Sequence, residues 1–126
     1  MAKVLIADDD GASRALVVTL LRHAGHEALE AADGATALTT IDSENPDLLI
    51  MDLSMPGVSG TEVIRQVQRR AKRPAIALYT ATSPNDAMRD FMEMYGVRTI
   101  IPKPCEPQEF LEAVESILSP RARELR

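Results

Sequence analysis

Aspartates, a threonine and a lysine stand where apolar runs end. Val4-Leu5-Ile6-Ala7 stops at Asp8, Asp9 and Asp10, and Leu48-Leu49-Ile50-Met51 stops at Asp52. Ala75-Ile76-Ala77-Leu78-Tyr79 stops at Thr80, and Ile100-Ile101 stops just before Lys103. Three carboxylates brought close together repel one another unless a cation neutralises them. Carboxylate oxygens and water suit Mg²⁺, a hard ion that takes few protein ligands. An aspartate beside such an ion can act as a nucleophile and form an acyl phosphate, with the metal offsetting phosphoryl charge. An amine such as Lys103 can set a positive charge on a phosphate oxygen, and a hydroxyl such as that of Thr80 can donate to another. Phosphoryl transfer needs little beyond such positioning and neutralisation.

Those residues act together only if the chain carries them to one place. Short continuous apolar runs suit parallel strands covered on both faces, and a weaker strand is expected at Glu27 to Ala31. Helical spacing fills the gaps. Residues 12 to 24 carry Leu16, Val17, Leu20, Leu21 and Ala24, with Gly25 as the stop. Ala35, Leu38 and Ile41 mark a second helix, and Val63, Ile64 and Val67 a third. Ala87, Phe91 and Tyr95 mark a fourth, ended by Gly96. Pro107 opens the fifth, which carries Phe110, Leu111, Val114, Ile117 and Leu118. Five βα units predict a three-layer, doubly wound α/β fold with a parallel sheet. In such sheets ligands bind beyond the carboxyl ends of the strands, which is where Asp8, Asp9, Asp52, Thr80 and Lys103 fall.

Taken in order, these pieces resemble the receiver domain of two-component response regulators. The matching pieces are Val4 to Asp10, Pro46 to Asp52 continuing through Leu53-Ser54-Met55-Pro56-Gly57 to Gly60, Thr80-Ala81, and Lys103-Pro104. The resemblance runs from about Lys3 to Leu118. It implies a flavodoxin-like (βα)5 fold with strand order 2-1-3-4-5. Asp52 is then the phosphoacceptor, charged by a sensor histidine kinase or a histidine phosphotransfer protein. Mg²⁺ would be held by Asp9 directly, by Asp8 through or beside a water, by Asp52, and by the Ser54 backbone carbonyl. Thr80 would sense the phosphoryl group and Lys103 would pair with it. The Lys103–Pro104 bond is expected to be cis, and Ser54 and Thr82 are the positions expected to tune the lifetime of the phosphorylated state. Output is expected through a changed protein-interaction surface, on the face of helix 4, strand 5 and helix 5. On this reading the chain is a signalling phosphoacceptor, assisting only its own phosphorylation and dephosphorylation, rather than an enzyme.

The sequence departs from the family pattern near the lysine. Receivers usually carry Tyr or Phe three residues before it, where a ring swings inward as the threonine moves; here the residue is Ile100. Pro102 precedes Lys103, and Cys105 follows Pro104 where Phe is frequent. Other candidates are plainer: Asp10 suits a helix cap, and His23 and His26, at the far end of the first helix, are expected as ordinary surface residues. On the fourth helix, Met88, Met92 and Tyr95 form one stripe beside Ala87, Phe91 and Met94. One should face the core and the other is available to a partner.

Composition bounds the alternatives. The 126 residues fit one domain, expected at 1–119, with 120–126 as a tail or the start of a linker. A net charge of −5 argues against direct nucleic-acid binding, which needs clustered cations. A single cysteine excludes an internal disulfide, and no apolar run is long enough to cross a bilayer, so no membrane association is expected and the location is expected to be cytoplasmic. A haloacid-dehalogenase-type phosphatase wants a second aspartate two residues after its nucleophile, where this chain has Ser54. A flavodoxin-like FMN carrier needs a phosphate loop that Asp8-Asp9-Asp10 would repel.

Overall fold

The computed structural model describes residues 2–119; the expected tail, 120–126, lies outside the described residues. Strands and helices alternate: β1 (Lys3–Ala7), α1 (Gly11–His23), β2 (Glu27–Ala31), α2 (Gly34–Glu44) and β3 (Leu48–Met51), then α3 (Gly60–Gln68), β4 (Ala75–Thr80), α4 (Asp86–Met94), β5 (Val97–Pro102) and α5 (Pro107–Leu118). The five strands pair in parallel in the order β2-β1-β3-β4-β5, as the resemblance implied.

Every residue of β3 and β4 is buried, because helices cover both faces of the sheet and each side chain in the pleat meets one layer or the other. Val4, Ile6, Leu48, Ile50, Ala77, Tyr79 and Ile101 pack with α1 and α5. Leu5, Ala7, Leu49, Met51, Ile76 and Leu78 pack with α2, α3 and α4. Side-chain caps start four helices abruptly: Asp10 accepts from the Ala12 amide, Asp33 from Thr36, Ser59 from Glu62 and Asn85 from Met88. The Asp10 cap turns the chain into α1 within two residues of Asp8. Ser13 and then the Ala12 amide, both donating to it, hold the Asp10 carboxyl below its ordinary value.

Some helix faces are rotated from the sequence reading. In α1 the buried residues are Val17, Val18 and Leu21, while Leu16 is 51% exposed and Ala24 lies past the helix end. The sheet selects the narrow face centred on Val17 and Leu21, one turn apart, so Leu16 falls on the outer flank. Gly34, Ala37, Leu38 and Ile41 are buried in α2, and Ala35 is exposed. In α4, Met92 is buried and Met88 packs against the core, whereas Ala87 is exposed and Met94 is 77% exposed. The inward face is therefore Met88, Met92 and Tyr95 together with Phe91 from the other stripe, and a partner reading built on Met88 and Met92 fails.

His26 also needs correction. Its side chain is only 7% exposed: Nδ1 accepts from the Ala2 amide at 3.2 Å and Nε2 meets Glu115 Oε1 at 2.5 Å. It staples the start of β1 to α5 and is not an ordinary surface residue.

Gly34 sits where α2 touches the loop after β3. A Cβ there would lie 2.5 Å from the Val58 carbonyl oxygen and 2.9 Å from Val63 Cγ2. Gly34→Ala is expected to cost about 1–3 kcal/mol through overpacking, read as a lower urea midpoint with an unchanged slope.

Candidate functional site

The site is an extension of the sheet. Where the strands end, the next amide still donates to the neighbouring strand: Asp8 N–H to the Ala31 carbonyl, Asp52 N–H to Ala7 and Lys103 N–H to Thr80, each at 3.0 Å. These bonds carry the strand register into the first residue of each loop. With Ala7 paired to Met51 and Thr80 to Pro102, the residues that follow must emerge side by side at one edge.

The loops then fold back on the site residues. Asp8 Oδ1 accepts the Asp10 amide at 2.9 Å, Asp52 Oδ1 the Ser54 amide at 3.0 Å, and Thr80 Oγ1 the Thr82 amide at 3.2 Å. All three are side-chain turns reaching two residues ahead, a geometry that Asp and Thr supply readily. Ser54 and Thr82 are thereby tied to Asp52 and Thr80 through their own backbones, while both residues are exposed to solvent.

Lys103 joins what the strands bring together. Its Nζ donates to Asp8 Oδ2 at 2.7 Å and to Asp52 Oδ2 at 2.9 Å. The side chains of Asp8, Asp52 and Lys103 are 3%, 12% and 15% exposed, so the triad is largely shielded. Burial disfavours the charged amine, but the hydrogen bonds it donates to Asp8 and Asp52 outweigh that and hold Lys103 above its ordinary value. A raised lysine contributes stability at all pH below the ordinary value of 10.5 and loses it only as pH rises through the folded value. The Lys103–Pro104 peptide is cis.

Of the other residues singled out in the sequence, Asp9 is exposed next to Asp8, and Thr80 is buried at the end of β4. Ile100 is half-buried, paired with Leu78, and packs against the α2–α4 layer. Cys105 is partly buried against the α1–α5 layer, and burial pushes its thiol up.

The oxygen donors suit a magnesium ion in kind. Asp8 Oδ2 and Asp52 Oδ2 both lie within 3 Å of a single cation, the Lys103 ammonium, so they can face one positive charge. Among the described residues no three acidic, histidine or cysteine side chains form a ready metal cluster. Further ligands would be Asp9, the Ser54 carbonyl and water, in keeping with an ion that keeps much of its hydration.

Two contacts were missed in the sequence. Arg14 Nη1 donates to the Asp8 carbonyl at 2.6 Å while its Nε pairs with Glu30 at 3.0 Å. An arginine in the first turn of a helix opposes the helix dipole, which is a signal that it serves something else. Lys103 Nζ lies 5.0 Å from the centre of the Tyr79 ring; an aromatic among aliphatic strand residues was the available hint.

Removing the lysine charge leaves two shielded carboxylates facing each other. Lys103→Met is expected to lower unfolding free energy near neutral pH by about 3–5 kcal/mol. MgCl₂ is expected to recover more stability in this variant than in the wild type, measured by urea unfolding with and without the salt.

Comparison with known proteins places residues 4–115 on the response regulator receiver domain. The chemotaxis protein CheY of Pseudomonas aeruginosa is 35% identical over 118 residues, covering 91% of this chain and 94% of the relative. Sporulation initiation phosphotransferase F of Bacillus subtilis is 29% identical over 116 residues, covering 92% and 93%. Other relatives are longer: the chain spans 48% of the probable transcriptional regulator ycf27 of Porphyridium aerugineum, at 31% identity. Among solved structures, chemotaxis protein CheY4 of Vibrio cholerae superposes with a TM-score of 0.87 at 28% identity, covering 93% of this chain and 98% of that one.

Proposed function

The chain belongs to the response regulator receiver domain family of two-component systems, whose general property is phosphorylation on an aspartate, and on that premise we propose that Asp52 is the residue phosphorylated. The single observation that carries this is Lys103 Nζ bridging Asp52 Oδ2 and Asp8 Oδ2 beyond the carboxyl ends of the strands. It leaves Asp52 partly open to solvent and beside a fixed positive charge.

In the reaction, a carboxylate oxygen of Asp52 attacks the donor's phosphorus. An O–P bond forms as the bond from phosphorus to the donor's nitrogen or oxygen breaks, and the leaving group keeps that electron pair. Lys103 moves from pairing two carboxylates to pairing one of them and a phosphoryl oxygen. Thr80 turns its hydroxyl hydrogen toward another phosphoryl oxygen. Asp8 is held in place by accepting from Lys103 and from the Asp10 amide. Asp8, Asp9, Asp52 and the Ser54 carbonyl hold Mg²⁺, which when bound neutralises charge on the phosphoryl oxygens.

Receivers of this family work with histidine kinases or phosphotransfer proteins, and one of these is the donor here. The chain acts as a phosphoacceptor, without turnover on a separate substrate. The receiver domain ends at about residue 119, and the protein works in the cytoplasm. No helix among the described residues is long and apolar enough to cross a membrane. The output partner meets the face of α4, β5 and α5, where Met94 supplies exposed apolar surface. Ile100 relays the change on the α4 side without an aromatic ring.

Acetyl phosphate with MgCl₂ tests the acceptor directly. The wild type is expected to gain the mass of one phosphoryl group, labile to alkali, and EDTA to prevent the gain. Asp52→Asn is expected to lose it; an equal gain on that variant sinks the assignment. Ser54 and Thr82 donate their amides to Asp52 and Thr80, which ties two solvent-exposed residues to the acceptor and its threonine neighbour. Ser54→Asn or Thr82→Asn is expected to shift the dephosphorylation rate by about tenfold, roughly the lower end of what a positioned polar group contributes, while phosphorylation persists.

A further inference from the structure

Lys103 has a third neighbour besides its two carboxylates. Its Nζ lies 5.0 Å from the centre of the Tyr79 ring, within the range at which a ring face attracts a cation. The ring is buttressed in turn. Tyr79 and Phe110 meet edge to face, with centroids 5.3 Å apart and planes at 66°. Phe110 is 1% exposed and sits in the first turns of α5, and Tyr79 is 7% exposed. Burial pushes the Tyr79 phenol up, and the charge on Lys103 opposes that shift. Neighbouring side chains on β4 serve different layers: Leu78 packs toward α2–α4 with Ile100, whereas Tyr79 packs toward α1 and α5 with Ile101.

We propose that Tyr79 is a positioning residue for Lys103, and that through Phe110 it makes α5 the element that responds when Lys103 changes partner. The ring face holds the ammonium between Asp8 and Asp52, where a flexible lysine would otherwise sample many rotamers. When Lys103 turns to a phosphoryl oxygen, its distance and angle to the ring change, and the attraction that orients Tyr79 weakens. The edge-to-face contact passes that change to Phe110 and α5. This route lies on the opposite face of the sheet from Ile100. Its second half rests on the reading of Asp52 as the acceptor; its first half does not.

Three versions of the full chain test it: wild type, Tyr79→Phe, which keeps the ring, and Tyr79→Leu, which removes it. Ile117→Ala, a core truncation remote from Lys103, controls for simple loss of stability. The lysine ¹³Cε NMR resonance missing from Lys103→Met reads Lys103 without any phosphorylation. It is expected to move in Tyr79→Leu and to stay in place in Tyr79→Phe and Ile117→Ala. An unmoved resonance in a folded Tyr79→Leu overturns the positioning role. If Tyr79→Leu does not fold, Tyr79→Trp and Tyr79→Phe replace it as a graded ring series, and an identical resonance across that series overturns the role. The phosphorylation rate with acetyl phosphate and Mg²⁺ is expected to fall roughly 3- to 30-fold in Tyr79→Leu, the span of a partly desolvated cation–π contact, and to survive in Tyr79→Phe.

The coupling has its own readout. The chain has no Trp and only two Tyr, so Tyr95→Phe leaves Tyr79 as the sole emitter. Its emission is expected to change in step with the mass gain, and not in an added Asp52→Asn background. A mass gain with unchanged Tyr79 emission overturns the coupling alone. No mass gain on the wild type overturns the acceptor reading and the coupling with it, while the lysine resonance still decides the positioning role.

Discussion

Lys103 Nζ is held 2.7 Å from Asp8 and 2.9 Å from Asp52, and the arrangement of the sheet follows from keeping those three groups together. Two carboxylates that are nearly shielded from water repel strongly unless a cation stands between them. The cation comes from β5's end, the carboxylates from the ends of β1 and β3. The three strands must therefore finish at one level, and the amides of Asp8, Asp52 and Lys103 continue the ladder to make them do so. A slip of one residue in any strand would turn the side chain to the other layer and break the triad. The apolar residues of β3 and β4, buried on both faces, make such a slip costly.

The same ion pairs set one positive charge between two carboxylates. Lys103 and a divalent ion are two ways of neutralising Asp8 and Asp52. The turns at Asp8, Asp52 and Thr80 give each reacting side chain a fixed orientation at little cost in ordering. They also tie the residues two positions on to the same centre, so Ser54 and Thr82 can influence solvent access without forming part of the charge network.

The alternation of β4 and β5 divides their side chains between the two layers. Leu78 and Ile100 face α4; Tyr79 and Ile101 face α5. With an aliphatic residue at 100, β5 itself carries no ring on the α4 side, where the rings belong to Phe91 and Tyr95 of the α4 segment. The aromatic residues of the α5 side, Tyr79 and Phe110, stand instead in a chain that begins at Lys103. On α4 the exposed apolar surface belongs to Met94, while Met88 and Met92 turn inward, so stripes that look alike in composition do different work.

Much of this could be read from residue order, because abrupt ends to apolar runs are local signals. Asp8, Asp52, Thr80 and Lys103 each follow such a run, and Asp10, Pro107 and Gly96 mark helix ends through capping and backbone preference alone. Which helix face is buried was less legible. Leu16 and Val18 are equally apolar, and only the position of α1 over the sheet leaves one at 51% exposure and the other at 5%. His26 with Glu115, 89 positions apart, and Arg14 with Glu30 depend on how the layers settle against each other. The residue types at the strand ends, and so the kind of chemistry available, were determined by the sequence by itself. That Lys103 lies between Asp8 and Asp52, and that Tyr79 rather than Ile100 lies beneath it, was decided by the tertiary structure. The contacts of Lys103 span 51 and 95 positions of chain and depend on lateral strand order and register, about which local periodicity carries no information.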